Sequence, residues 1–206
     1  MIDLFDPVPL NLNNITCHSG GAEGSDFFFF ESIGSKYGVK TKAYSYQTSY
    51  HKSPNKVEIS KEDYIEGITK IKKANHWLNR WGVDKYMNLL ARNWAQVKYS
   101  KQVFAIGHIV NPGEKVDKYY CKSKYQSVSG GTGWAVQMAI DNMKDVWVFD
   151  QLKTKWYHWS YSSMSFIESK EEPKITLQDF AGIGTRQINQ HGISAIEGLY
   201  KKTFNK

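Results

Sequence analysis

The chain has 206 residues, of which 41% are hydrophobic and 23% charged, and a formal net charge of +7. That length sets the expectation of one domain with a real core, and no apolar run reaches the length needed to span a bilayer. The excess of positive charge points to an anionic partner, for which phosphorylated small molecules, nucleic acid and acidic protein surfaces all qualify. The lysines are spread out, with small clusters at Lys70, Lys72 and Lys73, at Lys115, Lys118, Lys122 and Lys124, and at Lys201, Lys202 and Lys206; any one cluster also reads as a solvated face. Met1 to Asp6 is acidic where a signal peptide is basic, so the cytoplasm is the expected compartment. Cys17 and Cys121 belong to no C-x-x-C pair and read as reduced, structural thiols.

In chain order, an irregular arm over 1–13 with Pro7 and Pro9 precedes a short buried strand, Asn14 to His18, that runs into a glycine-rich turn. Asp26 to Ser35 carries Phe27, Phe28, Phe29, Phe30 and Ile33, too apolar all round for a surface helix, and predicts a deeply packed one. Val39 to Tyr46 is the next strand and Gln47 to Lys56 a loop. Ser60 to Asp63 starts a helix carrying Tyr64, Ile65, Ile68 and Ile71 at helical spacing. Another helix over Asp84 to Val97 puts Tyr86, Leu89, Leu90, Trp94 and Val97 inward, and Val103 to Gly107 is a central strand. His108 to Val128 reads as a long loop or lid. Trp134 to Met143 is predicted helical, Asp145 to Asp150 a strand, and Lys155 to Trp159 its hairpin partner. Ile175 to Leu177 leads to a last glycine turn and a helix from about Gln187 to Thr203.

Three glycine turns therefore stand between a strand and a helix: Ser19-Gly20-Gly21-Ala22-Glu23-Gly24-Ser25-Asp26, Ser129-Gly130-Gly131-Thr132-Gly133-Trp134 and Ala181-Gly182-Ile183-Gly184-Thr185-Arg186. Glycine lets backbone N–H groups approach a ligand, and a helix start adds partial positive charge, so each turn is a candidate phosphate cradle. Alternating strands and helices predict an α/β fold, a Rossmann-like parallel sheet with helices on both faces, whose ligands bind at the carboxyl ends of the strands. The three turns are expected to converge there. The histidines, including His18, His108 and His158, form no ligand pattern, and no metal or other cofactor is expected.

These residues resemble the SLOG superfamily, the Rossmann-like group that includes the DNA-processing protein DprA and the LOG cytokinin-activating phosphoribohydrolases. Ser19 to Asp26 is similar to the S-G-G-A-x-G-A-D turn of the DprA-like branch, Arg92-Asn93-Trp94-Ala95-Gln96-Val97 to its R-N-x-x-Q-V helix, and Gly130-Gly131-Thr132-Gly133 to its G-G-T-x stretch. The G-[IS]-G-S-R turn that opens the family fold has its counterpart here near the C-terminus, at Gly182 to Arg186, so the resemblance implies a circularly permuted single SLOG-like domain over 1–206. LOG hydrolases carry P-G-G-x-G-T-x-x-E; aligned on it, this chain has Trp134 for the threonine and Gln137 for the glutamate. An amide neither transfers the proton nor stabilises an oxocarbenium ion by charge, which argues against that hydrolysis.

The candidate ligand-binding residues are Ser19, Gly20, Gly21, Gly24, Asp26, Arg92, Asn93, Gly130, Gly131, Thr132, Gly133, Trp134, Gly184, Thr185 and Arg186. Arg186 reads as a bidentate phosphate grip or as a surface arginine, and Arg92 with Asn93 as crevice residues or a helix ion pair. Asp26 reads as a ribose acceptor or as a first-turn carboxylate, and Trp134, at the mouth of a glycine turn, as the ring that stacks on a base. Glu23 and Asp150 are the carboxylates left to replace the missing glutamate. The expected function is non-catalytic binding of a nucleotide or an NAD- or ADP-ribose-derived signal, in the form of a phage-type protein that sequesters a host defence signal. A nucleotide N-glycosidase and a DprA-like single-strand DNA binder are the alternatives. The resemblance also implies a homo-oligomer.

Overall fold

The computed structural model describes residues 10–48, 51, 53–116 and 119–205. The first nine residues, Lys118 and Lys206, which entered the reading of arm and charge clusters, lie outside them. The strands are β1 (Thr16–Ser19), β2 (Lys40–Ser45), β3 (Lys56–Glu58), β4 (Gln102–Gly107), β5 (Ile109–Val110), β6 (Lys115–Val116), β7 (Tyr119–Tyr120), β8 (Ser127–Val128), β9 (Asp145–Asp150), β10 (Lys155–Ser160), β11 (Ser165–Glu168) and β12 (Asp179–Gly184). The helices are α1 (Ser32–Lys36), α2 (Lys61–Leu78), α3 (Met87–Lys98), α4 (Thr132–Asp141) and α5 (Gln190–Phe204).

Eight strands form one sheet in the order β11-β10-β9-β4-β12-β1-β2-β3. From β9 to β3 neighbours are parallel, and the hairpin strands β10 and β11 extend it antiparallel. Leaving aside the short edge strand β3 and counting from β12, the parallel strands lie in the order 3-2-1-4-5, that of a doubly wound sheet. The last parallel strand of the chain thus occupies the middle of the sheet. Leu10 and Phe204, near the two ends of the described chain, pack against the same core cluster.

Both faces of the sheet are covered, which is why all six residues of β4 are buried. On one face Val103, Ala105, Ala181 and Ile183 meet Ile71, Leu78, Trp94 and Met138 from α2, α3 and α4. On the other, Cys17, Phe104 and Phe180 meet Phe30, Ile196, Leu199 and Tyr200. Helix α2 starts where Ser60 Oγ accepts from Asp63 N (3.0 Å) and stops where Asn79 turns left-handed (φ +50°). Among the described residues no helix is long and apolar enough to cross a membrane.

Several local expectations are corrected. Asp26 to Ser35 is not one α-helix: Ser25–Glu31 is π-helical and only Ser32–Lys36 is α. The third glycine stretch is not all turn: Asp179–Gly184 is a strand, while ahead of it Ile175 N donates to Thr203 Oγ1 (2.9 Å) and Thr176 N to Gln102 Oε1 (3.0 Å) outside the ladder. Ile65, Tyr86 and Leu89 face outward, since only one side of their helices meets the core. Helix α4 starts earlier than expected, and α5 starts at Gln190, where Asn189 caps Gly192 N (3.0 Å). The expected lid over 108–128 contains two short antiparallel pairs, β5 with β8 and β6 with β7.

Candidate functional site

Strands β1 and β12 are parallel neighbours, so the first and third glycine turns leave the same edge of the sheet side by side. Ser19 organises the first turn: its Oγ accepts from Gly21 N (3.1 Å) and donates to the Asp26 carbonyl (3.1 Å). The two turns are then tied together. Ser25 donates to the Thr185 carbonyl through both its backbone N–H (3.1 Å) and its Oγ (2.9 Å), and Gly184 N donates to Asp26 Oδ1 (2.7 Å). Gly24 sits at φ +84°, and a Cβ there would come within 2.6 Å of the Arg186 backbone. Only glycine allows that approach.

Arg92 reaches this junction from α3. Its Nη1 donates to the carbonyls of Gly20 and Tyr44 (3.1 Å for the latter). Asn93 is buried next to it in the same helix. Asp26 is also buried, and burial pushes its carboxyl up to about 6, against the pull of the Arg92 charge, the Gly184 N–H and the Gln96 side chain. Arg92 is shifted down, first by burial and also by the charge of Arg186, while Asp26 opposes the shift. Arg186 and Thr185 follow β12; Arg186 is exposed and lies four residues ahead of α5, outside its first turn.

The second turn is held differently. Arg80 donates to the carbonyls of Gly130 (2.7 Å) and Val128 (2.6 Å), and Ser129 N donates to the His108 carbonyl (2.9 Å). Gly133 packs directly against the Val128 carbonyl, which excludes a side chain there. Thr132 is buried beside Gly107, and Trp134 is buried in the core with Arg80 5.7 Å from its ring centroid. Gly131 differs from these: it has ordinary helical φ (−63°), and among the described residues nothing lies within 4 Å of where its Cβ would stand. The turn joins the same edge of the sheet through β4, whose Ile106 carbonyl accepts from Thr185 N (3.0 Å).

A cavity of about 420 Å³ opens near the first turn, between Tyr46–Thr48 just after β2 and residues 84–89, a 3-10 turn running into the start of α3, with Arg92 in its wall. Tyr46, Lys85 and Tyr86 line it; none was read in the sequence as a site residue, Tyr86 being expected in the core, and the signal available for Tyr46 was its position at a strand's carboxyl end. His51 covers Gly21, with both its ring nitrogens buried against the turn. Burial, then the charges of Arg92 and Lys56, hold that imidazole below its ordinary value.

The carboxylates considered for catalysis are placed as follows. Asp150 is buried and accepts from the backbone N–H groups of Ile109 (3.1 Å), Leu152 (3.0 Å) and Lys153 (3.2 Å). Glu23 is exposed. Gln137 donates to Asp141 Oδ1 (2.9 Å) within α4. Among the described residues no group of three His, Cys, Asp or Glu side chains stands together as a metal site would require. Comparison with protein-family models, with curated proteins and with solved structures finds no match for this chain.

Proposed function

We propose that this protein binds a phosphorylated small molecule of the nucleotide or NAD/ADP-ribose class at the carboxyl edge of the sheet and does not turn it over. The observation that carries this reading is the pair of guanidiniums, Arg92 buried and Arg186 exposed, at two interlocked glycine turns. Arg186 is close enough for its charge to act on Arg92. Asp26 feels the Arg92 charge and, from the other side, the buried Glu31 carboxylate, so the interior of the junction is charge-matched and the exposed Arg186 is the cation that would meet an anion. Gly131 supports the same reading, since no packing in the described structure requires glycine there and its absent side chain leaves the start of α4 open to a ligand. The aromatic rings of Tyr46 and Tyr86 in the adjoining cavity suit a base.

Absence of turnover is supported by the uses the carboxylates already have. Asp150 is engaged with three backbone donors, and the residue matching the hydrolase glutamate is Gln137, turned to Asp141. The sheet order counted from β12 supports a permuted SLOG-like domain, in which sequestering a nucleotide-derived defence signal is the concrete role. The test is to purify the protein natively, denature it and identify the released small molecule by mass spectrometry. A phosphorylated nucleoside derivative, lost from Arg186→Ala, is the expected result. Recovery of the same compound from Arg186→Ala at full occupancy would remove Arg186 from the site.

A further inference from the structure

The Arg80 guanidinium spends both of its terminal nitrogens on main-chain oxygens of the second turn, Nη1 on the Gly130 carbonyl (2.7 Å) and Nη2 on that of Val128 (2.6 Å). The fork is itself held in place. Asn75 accepts from Arg80 N (2.8 Å) and donates to the Arg80 carbonyl (3.1 Å) where α2 ends, and the Trp134 ring centroid lies 5.7 Å from the guanidinium carbon. Gly133 makes room for it, since a Cβ there would stand 2.6 and 2.9 Å from the two Nη atoms. A side chain so engaged with backbone acts through whatever that backbone presents.

In a planar trans peptide the carbonyl of one residue and the N–H of the next point in opposite directions. Drawing the Gly130 carbonyl toward Arg80 therefore turns the Gly131 N–H away from it. A Cβ on either glycine would meet nothing within 4 Å in the described structure, so the peptide between them stands at an open surface. With no Cβ on either flank, the reversed orientation is sterically allowed as well. The two orientations are opposite in effect: an outward N–H attracts an anion, and an outward carbonyl oxygen repels it. The peptide joining Val128 to Ser129 has no such freedom, because its carbonyl accepts from Arg80 while its N–H donates to the His108 carbonyl (2.9 Å). We infer that Arg80 is a positioning residue of the second turn: by holding the Gly130 carbonyl inward it keeps the Gly131 N–H facing the ligand. This rests on the reading of that turn as part of the small-molecule site. Arg80 works from behind the turn, through the backbone it binds.

The test joins amide NMR of the ligand-free protein with calorimetric titration of ADP-ribose, for wild type, Arg80→Lys and Arg80→Ala. Lysine keeps the charge and a long stem but lacks the planar fork that spans two carbonyls. The expected result is a moved or doubled Gly131 amide resonance in both variants before any ligand is added, and an affinity for ADP-ribose about tenfold lower in both. Unfolding midpoints show which variants are folded, and Arg80→Lys carries the test alone should Arg80→Ala unfold. A Gly131 resonance unchanged in the folded variants would overturn the inference. So would wild-type affinity in Arg80→Lys, which would leave only the charge at work. Wild-type protein that binds no ADP-ribose would count against the small-molecule reading instead, while the Gly131 resonance of the ligand-free variants still decides how Arg80 acts on the turn.

Discussion

The first and second glycine turns look alike in sequence and do different physical jobs. Around Gly24 the turn is filled from outside: the Arg186 backbone approaches within 2.6 Å of a would-be Cβ, and Asp26 and Ser25 bind the third turn. The second turn is filled at Gly133, where the Val128 carbonyl packs, and open at Gly131. A glycine is thus demanded by packing in one place and by nothing in the described fold at the other. What remains unexplained by packing is where a ligand-binding role is most informative.

The sharpest way to break that contrast is substitution at the filled positions. Gly133→Val, which forces a side chain into the Val128 carbonyl, should cost about 4 kcal/mol or more and is expected to abolish cooperative unfolding in a denaturant titration. Retained stability would show that the turn relaxes easily.

The next effect is on pH dependence at the charged junction. Burial holds the Asp26 carboxyl at about 6, against an ordinary 3.8, so between those values the folded state keeps a proton that the unfolded chain has released. Stability from this group is therefore present at low pH and lost as pH rises from about 4 to about 6, by about 3 kcal/mol. His18 acts with the opposite sign: burial lowers it despite its contact with Asp179 (3.0 Å), so its contribution is lost as pH falls below the ordinary value of 6.5. The difference between wild type and Asp26→Asn, measured by denaturant unfolding across pH, isolates the Asp26 component. A pH-independent difference would contradict the buried, upshifted carboxyl.

How far the sequence could reveal this follows from the same physics. Strand, turn and helix alternation was readable because apolar β-branched and aromatic runs ended at glycines, and it placed the turns at the sheet's carboxyl edge. The burial of Trp134, read in the sequence as a ring at the mouth of the turn, was not legible because α4 is apolar on nearly every side: Trp134, Ala135, Val136, Met138, Ala139 and Ile140 are all buried, so no polar stripe distinguished core from mouth. Arg92 gave its helix but not its destination, since its bonds to Gly20 and Tyr44 join residues 72 and 48 positions away. His51 and Arg80 act from aperiodic segments, and their contacts are long-range as well. The edge strand β3, which begins at the last residue of the loop read over Gln47 to Lys56, was missed because it has no buried residue to mark it.

Two smaller effects sharpen the comparison. Arg186→Ala should leave stability within about 0.5 kcal/mol, as its side chain is exposed, and weaken binding of the anionic ligand by about 2–3 kcal/mol in calorimetry. Gly131→Ala should change stability by no more than about 0.5 kcal/mol, because the added methyl meets open space, while still reducing ligand affinity. A neutral effect on both would leave Gly131 as an ordinary connector.

The measurement that tests the central claim most directly is calorimetric titration of the protein with AMP, NAD and ADP-ribose, followed by analysis of the bound and released fractions. Saturable binding of at least one of them, weakened in Arg186→Ala, with the ligand recovered unchanged, is the predicted result. Release of free base or nicotinamide over many turnovers, stopped by Glu23→Gln or Asp150→Asn, would contradict it and make the protein an enzyme with a relocated carboxylate.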